Sequence, residues 1–335
     1  MLFSQDSQLI LRHKDILKEK KIFFSGNIQD QLPEYLLASK KIIYFQTYQK
    51  KLNTNKVKII HLYKNLLISQ KIIKEYEVLI YYWPKNKNEA RFQLFHLLSF
   101  FKIGSKIFII GKKSSGIKSA GEILKKWINL KKVENAKHSI LFSGVLLKKP
   151  KFKLEDFFNT HVWKNLVIKS LPGVFGYKKI DEGSKLLAST FSKKIYGKIL
   201  DMGCGSGVLS VSILKNSINS YLTMTDNKES ALISSKETLK YNQLSANIIL
   251  SDLYSNIFKK FNIIISNPPL HNDLKKDFNI TKKIITQSVY YLEKKGELRF
   301  VTNSCLNYDF YLKKFFKKYS IISRTNKYKV YQANL

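Results

Sequence analysis

The stretch "DMGCGSGVLS", Asp201 to Ser210, sets the strongest limit on what this chain can become. It follows the apolar run "KIL" and leads into the periodic stretch "VLSVSIL", so it reads as a strand, a tight turn and a helix. Gly203, Gly205 and Gly207 alternate through the turn and strip it of side chains. Bare backbone can then approach a flat ligand at the carboxyl end of a strand, which is where open parallel sheets place their sites. The spacing excludes two common ligand classes. A dinucleotide fingerprint requires G-x-G-x-x-G and a phosphate loop requires Gly-Lys-Ser/Thr, and neither is present.

The rest of the chain supports an α/β reading. β-Branched and aromatic runs such as "KKIIYF" (Lys40 to Phe45), "EVLIYYW" (Glu77 to Trp83), "KIFIIG" (Lys106 to Gly111), "GKILDMG" (Gly197 to Gly203), "NIIIS" (Asn262 to Ser266) and "ELRFV" (Glu297 to Val301) lie between helical patterns. Such alternation builds a largely parallel sheet. In "TKKIITQSVYYLEKKGE" the apolar Ile284, Ile285, Val289 and Leu292 share a face, which predicts a helix capped by Thr281 and closed by Gly296. A chain of 335 residues, 44% hydrophobic, can bury two cores. Between Lys148 and Gly183 the pattern loosens, with "LPGVFG" inside it, and the join is placed there near residue 158, giving domains 1–158 and 159–335. The two halves run in parallel: "YEVLIYYWPKNKNEA" is followed by a helix, a glycine and a strand, as "FNIIISNPPLHND" is. Where the second half has its glycine turn, however, the first has only "FFSGNIQ", and where the second has "TMTDN" the first has "YFQTY".

The formal charge of +35 favours a polyanionic partner such as nucleic acid. Arginine is confined to Arg12, Arg91, Arg299 and Arg324, and a lysine skew with abundant Asn and Ile is also what A+T-rich coding produces. Cys204 and Cys305 form no metal or disulfide pattern and read as small filler residues. No metal site is expected. No segment has the uninterrupted apolar run of a membrane span, so a cytoplasmic protein is expected.

Around the turn, chemistry accumulates. Asp201 suits a ligand with a cationic amino-acid end, Asp226 in "TMTDN" suits ribose hydroxyls, and Asp252 in "ILSDLY" suits an adenine amino group. That combination points to S-adenosylmethionine. "NPPLHND" follows another buried strand. There the side chain of Asn267 and the carbonyl of Pro268, stiffened by Pro269, present two acceptors for the two N–H groups of an exocyclic amine. Holding both hydrogens orients the nitrogen lone pair for in-line attack on a methyl group. His271 is not needed as a base, because the proton can leave to water.

These motifs, with "WPKNKNEARFQLFHLLS", "GKKSSGIKSAGEIL", "LPGVFGYKKIDEGSKLL", "KKGELRFVTN" and "KYKVYQA", run nearly end to end, and the chain resembles the small-subunit ribosomal RNA methyltransferase C family. The resemblance implies methyl transfer to guanine N2 of 16S rRNA in the 30S subunit by a monomer. It also implies two tandem Rossmann-like class I methyltransferase domains, the first of them degenerate. On the matching positions it assigns cofactor binding to Asp201, Gly203, Gly205, Gly207 and Asp226, and the acceptor role to Asn267, Pro268 and Pro269. The aromatic that the family usually places after the prolines is Leu270 here, which leaves Phe175 or Tyr177 as candidates to lie against the base. Two alternatives stand beside this reading: an Asn-Pro-Pro-type N-methyltransferase acting on protein glutamine or another amine, and a non-catalytic RNA-binding assembly factor.

Overall fold

The computed structural model describes residues 3–44, 59–62, 70–192, 195–217, 219–269 and 274–335. The chain divides into two compact units, Met1–Phe157 and Phe158–Leu335. In the first unit, β1 (Lys21–Gly26), β2 (Lys40–Tyr44), β3 (Ile59–Leu62), β4 (Val78–Tyr82), β5 (Lys106–Lys112), β6 (Lys131–Asn135) and β7 (Ser139–Val145) make one sheet in the order β3-β2-β1-β4-β5-β7-β6. The pairs from β3 to β5 are parallel, and β7 runs antiparallel to both β5 and β6.

The second unit opens with a hairpin of β8 (Asn159–Trp163) and β9 (Leu166–Ser170), joined through Lys164 and Asn165, both at positive φ as a two-residue hairpin turn demands. Its main sheet comprises β10 (Gly197–Met202), β11 (Ser220–Asp226), β12 (Asn247–Leu250), β13 (Phe261–Ser266), β14 (Leu292–Asn303), β15 (Lys318–Arg324) and β16 (Tyr328–Asn334), in the order β12-β11-β10-β13-β14-β16-β15. Renumbered from its first strand, this is the order of the first sheet. Both units are mixed α/β sheets on one topology, five parallel strands extended by an antiparallel pair.

Alternation along each strand supplies both faces of the sheet. On β10, Ile199 joins the core shared with Val208, Leu209 and Val211, whereas Leu200 and Met202 join the core shared with Ile284, Ile285 and Phe300. The first unit repeats this: Phe23 and Leu79 face one core, Ile22, Phe24 and Ile80 the other. No helix among the described residues is long and apolar enough to cross a membrane.

One expected element differs. The helix read from Thr281 to Gly296 runs from Leu274 to Tyr291; Thr281 is buried inside it, and Gly296 lies within β14. Leu292 pairs directly with Phe261 on β13, so the chain turns to strand at its last apolar helical residue. Gly296 then sits at an irregular register, where a Cβ would lie 2.8 Å from the carbonyl oxygen of Glu293.

At the strand ends of the first unit, internal contacts fill the space. Asp30 accepts from Ser4 N (2.7 Å), Ser7 Oγ (2.8 Å) and Leu32 N (3.0 Å). Asn27 N donates to the carbonyl of Tyr82, and a Cβ at Gly26 would come within 2.0 Å of that oxygen. Trp83-Pro84 follows β4 as Asn267-Pro268 follows β13, and Trp83 is buried with its indole N–H on the carbonyl of Ser115. The first copy therefore lacks both the open turn and the acceptor amide.

His96, on the helix Lys87–Phe100, is 3% exposed between the rings of Phe100 and Phe152, and burial pulls its imidazole down to about 4. The folded state holds it neutral while the unfolded chain protonates near its ordinary value. Stability from this residue is therefore full above pH 6.5 and is lost as pH falls toward 4. Acidification across that window is expected to cost the first unit about 3 kcal/mol. Amide exchange of the helix Lys87–Phe100 in the full chain reads this loss, and H96M should flatten the slope; an unchanged slope would assign it elsewhere.

Candidate functional site

Strand register brings the two motifs together. β10 lies between β11 and β13, with Met202 opposite Thr225 on one side and Ser266 on the other. Ser266 Oγ donates to the carbonyl of Met202 (2.9 Å), tying the two strand ends. The chain leaves β10 into the glycine turn and leaves β13 into Asn-Pro-Pro, side by side. Between β10 and β13 the strand order reverses, the point at which an open α/β sheet forms its crevice.

The three glycines have different tasks. Gly203, Gly205 and Gly207 take φ of +74°, +55° and +82°, all in the left-handed region. A Cβ on Gly203 would meet nothing within 4 Å, and on Gly205 only the carbonyl oxygen of Phe175 at 3.9 Å. On Gly207 it would press on Met224 Cε at 3.0 Å and Ser235 Oγ at 3.2 Å. The first two leave an open cradle, whereas the third lets the helix Val208–Asn216 pack. The amides of Gly203 and Cys204 both donate to the carbonyl of Thr225, at 2.8 and 2.9 Å, which fixes the turn on β11. Cys204 is buried, its sulfur accepts from Ser235 Oγ, and burial pushes its thiol well up, so it is a packing residue with no nucleophilic character.

Asp201 shares the strand parity of Ile199 and so points to the layer of the helix Val208–Asn216. There it is fully buried, with Oδ2 accepting from Ser210 Oγ (2.7 Å). Its Oδ1 is buried and has no hydrogen-bond partner among the described residues. Burial pushes this carboxyl up to about 7, with the Ser210 hydrogen bond opposing and the Asp226 charge adding to the shift. Asp226, at the end of β11, accepts from Gly205 N (3.1 Å) and Lys228 N (2.9 Å), and burial raises its carboxyl despite those bonds. Asp252 follows β12 and is half-buried; its amide donates to Ser255 Oγ, and the preceding Ser251 N donates to the carbonyl of Asp226. All three acids lie on one edge of the sheet, in strand order toward Asn267.

Asn267 is held by residues from outside the motif. Its Nδ2 donates to Ser184 Oγ (2.7 Å) and Asp181 Oδ2 (3.1 Å), and its Oδ1 is buried without a partner among the described residues. Asp181 caps the helix Glu182–Ser189 by accepting from Ser184 N (3.0 Å) and also takes the phenol of the buried Tyr328. Pro268 is buried and Pro269 exposed. Leu270 and His271 lie outside the described residues. Asp181, Ser184 and Tyr328 are additions to the sequence reading; the one signal for them was the D-x-x-S helix start in "IDEGSKLL".

The loop between β9 and Asp181 spans both turns. Lys228 Nζ holds the carbonyl of Gly173 (3.2 Å), and Asn159 Nδ2 (2.7 Å) and His161 Nε2 (2.9 Å) meet the carbonyl of Tyr177. Phe175, 45% exposed, has its backbone beside Gly205, and Tyr177 is half-buried. Among the described residues no group of three or more His, Cys, Asp or Glu is arranged to hold a metal ion.

Comparison with known proteins gives both units a family. Residues 165–332 match the methyltransferase small domain family and residues 7–161 match the methyltransferase small domain N-terminal family. The ribosomal RNA small subunit methyltransferase C of Buchnera aphidicola subsp. Schizaphis graminum is 62% identical over the full length of both chains. The protein of the same name from Erwinia tasmaniensis is 36% identical over 99% of this chain and 97% of its own. Among solved structures, the T. Thermophilus 16S rRNA N2 G1207 methyltransferase, in complex with AdoMet and guanosine, superposes with a TM-score of 0.77. At 17% identity, covering 96% of this chain and 91% of that one, it establishes a shared fold. The full-length relatives do not favour the protein-glutamine alternative. With both halves matched in order and identities of 62% and 36% over at least 97% of each chain, the chain belongs to the ribosomal RNA small subunit methyltransferase C family.

Proposed function

We propose that the second unit transfers a methyl group from S-adenosylmethionine to the exocyclic N2 of a guanine in 16S rRNA, acting as a cytoplasmic monomer on the 30S subunit. The observation that carries this reading is the juxtaposition, across paired strands, of an open glycine cradle and an amide whose buried carbonyl oxygen lacks a partner among the described residues. Support comes from the family's name and from the T. Thermophilus enzyme, which holds AdoMet and guanosine. The first unit, with its filled strand ends, serves folding or RNA contact.

The residues present fit the cofactor. The open space at Gly203 and Gly205 admits its backbone, Asp226 and Asp252 stand in order for ribose and adenine, and Asp201 Oδ1 is an acceptor for its amino group. Along the edge, Asp252 and Asn267 are three strand spacings apart, about 14 Å. When bound, S-adenosylmethionine supplies a methyl group on a positively charged sulfur, which is transferred to nitrogen while the C–S electron pair stays on sulfur. Asn267 Oδ1 and the carbonyl of Pro268 accept the two N2 hydrogens and turn the nitrogen lone pair toward the glycine cradle. The proton leaves N2 to water. Phe175 or Tyr177 lies against the base.

Three outcomes follow. If Asp201 pairs with the cofactor's amino group, affinity rises with pH through about 7 as the carboxyl ionises, and binding below that pH releases a proton. Calorimetry in buffers of differing ionisation enthalpy measures that proton, and D201N should remove it. N267A should lower the rate of labelled-methyl transfer to unmethylated 30S subunits by roughly a hundred- to a thousandfold, leaving cofactor affinity near normal. Near-normal turnover would return Asn-Pro-Pro to a structural turn. Binding to 30S subunits should weaken steeply between low and physiological salt if lysines meet phosphates; a flat response would leave the +35 charge to coding composition.

A further inference from the structure

We infer that Asp181 is a positioning residue for methyl transfer: it fixes which end of the Asn267 amide faces the substrate. This rests on the acceptor role given to Asn267 above. An amide side chain can occupy one site in two orientations that exchange a donor for an acceptor, and the network around it decides between them. Here one neighbour cannot adapt. An ionised carboxylate only accepts, so the atom of Asn267 that lies 3.1 Å from Asp181 Oδ2 is the amide nitrogen. Ser184 Oγ, at 2.7 Å from the same nitrogen, can accept or donate and follows whatever orientation the carboxylate imposes. With the nitrogen so occupied, Oδ1 is left as the free acceptor. The reverse orientation would present N–H groups to an amine that itself offers N–H groups, and the amine would be repelled.

Asp181 is itself held in place. The same Oδ2 takes the amide of Ser184 as a helix cap, and the carboxylate takes the phenol of Tyr328 from the start of β16, which pairs with the end of β14. Gly183 keeps this cluster tight: a Cβ there would lie 2.9 Å from Asp181 Oδ2 and 3.3 Å from the Tyr328 ring. The amide orientation is thus set by three segments of the second unit, and none of them needs to touch the base.

The test must separate orientation from capping. Serine caps a helix as well as aspartate does but is shorter and uncharged, so D181S should keep the helix cap and the cofactor affinity, while the loss of the Tyr328 partner lowers thermal stability. It should lower kcat on 30S subunits by roughly tenfold to a hundredfold, by analogy with the outer groups that orient metal ligands, with KM little changed. D181N keeps a carbonyl acceptor at the same reach, and the Ser184 N–H that it caps holds that oxygen toward Asn267, so it should recover most of the rate. Because Asp181 acts through Asn267, the double variant D181S/N267A should be no slower than N267A alone. Additive losses, or a D181S protein with normal kcat beside an inactive N267A, would overturn the positioning role while leaving the acceptor role standing. An active N267A would instead remove the acceptor role itself. If D181S does not fold, Y328F, which takes only the phenol from the carboxylate, should give a smaller kcat loss that vanishes in the N267A background; loss of the same size in both backgrounds would overturn the proposal.

Discussion

The register of β10 against β13 controls the strand-end edge of the second unit. Because Met202 stands beside Ser266, the turns that leave these strands emerge as neighbours, and the side chain of Ser266 closes the gap between them. A slip of one residue would turn Asp201 out of the helix layer and carry Asn267 away from Asp181. The register is held by what each strand buries: Ile199 with the helix face on one side, Leu200 and Met202 with the opposite core. Site geometry is therefore a by-product of core packing, which leaves the crevice free to be lined by glycine and acids that contribute little to folding.

The paired sheets show what separates a closed strand end from an open one. Both units share one strand order, so the first has a strand-end edge in the same place. Asp30 is bound by two amides and a hydroxyl of its own unit, and the backbone at Gly26 closes onto Tyr82. Trp83 stands where an acceptor amide would be needed and gives its one N–H to Ser115. At each of these positions the first unit has a group satisfied inside the chain.

Much of this was legible in the sequence because it is decided locally. Alternating glycines after a strand, and an Asn-Pro-Pro turn after another, have one backbone consequence each, and the α/β alternation follows from short-range periodicity. Asp201 was read as an acid facing a ligand. Its burial beside Ser210 follows from the parity it shares with Ile199, a step the motif alone does not contain. Asp181 was legible only as a helix cap, because its second partner lies 86 residues away and nothing in "KKIDEGSK" distinguishes a helix cap from a helix cap with a second task. The end of the helix Leu274–Tyr291 was misjudged because Gly296 resembles a helix terminus, while the pairing of Leu292 with Phe261 is a contact across the fold.

The hairpin strand β9 carries a consequence for the loop above the site. It belongs to no large sheet, yet its outer backbone groups are met by one helix, Glu229–Tyr241, and its C-cap. Asn242 takes Val167, Thr238 takes Lys169 and Ser234 takes Leu171, polar side chains four residues apart answering strand residues two apart. Four residues of helix rise about 6 Å and two of strand about 6.6 Å, so the two ladders stay in step over this length. The helix serves as a neighbouring strand. The segment that follows, from Leu171 to Asp181, thereby starts from a fixed post and ends at another, and most of the entropy of ordering it is spent when the chain folds. Whatever meets this edge of the unit meets a surface already shaped.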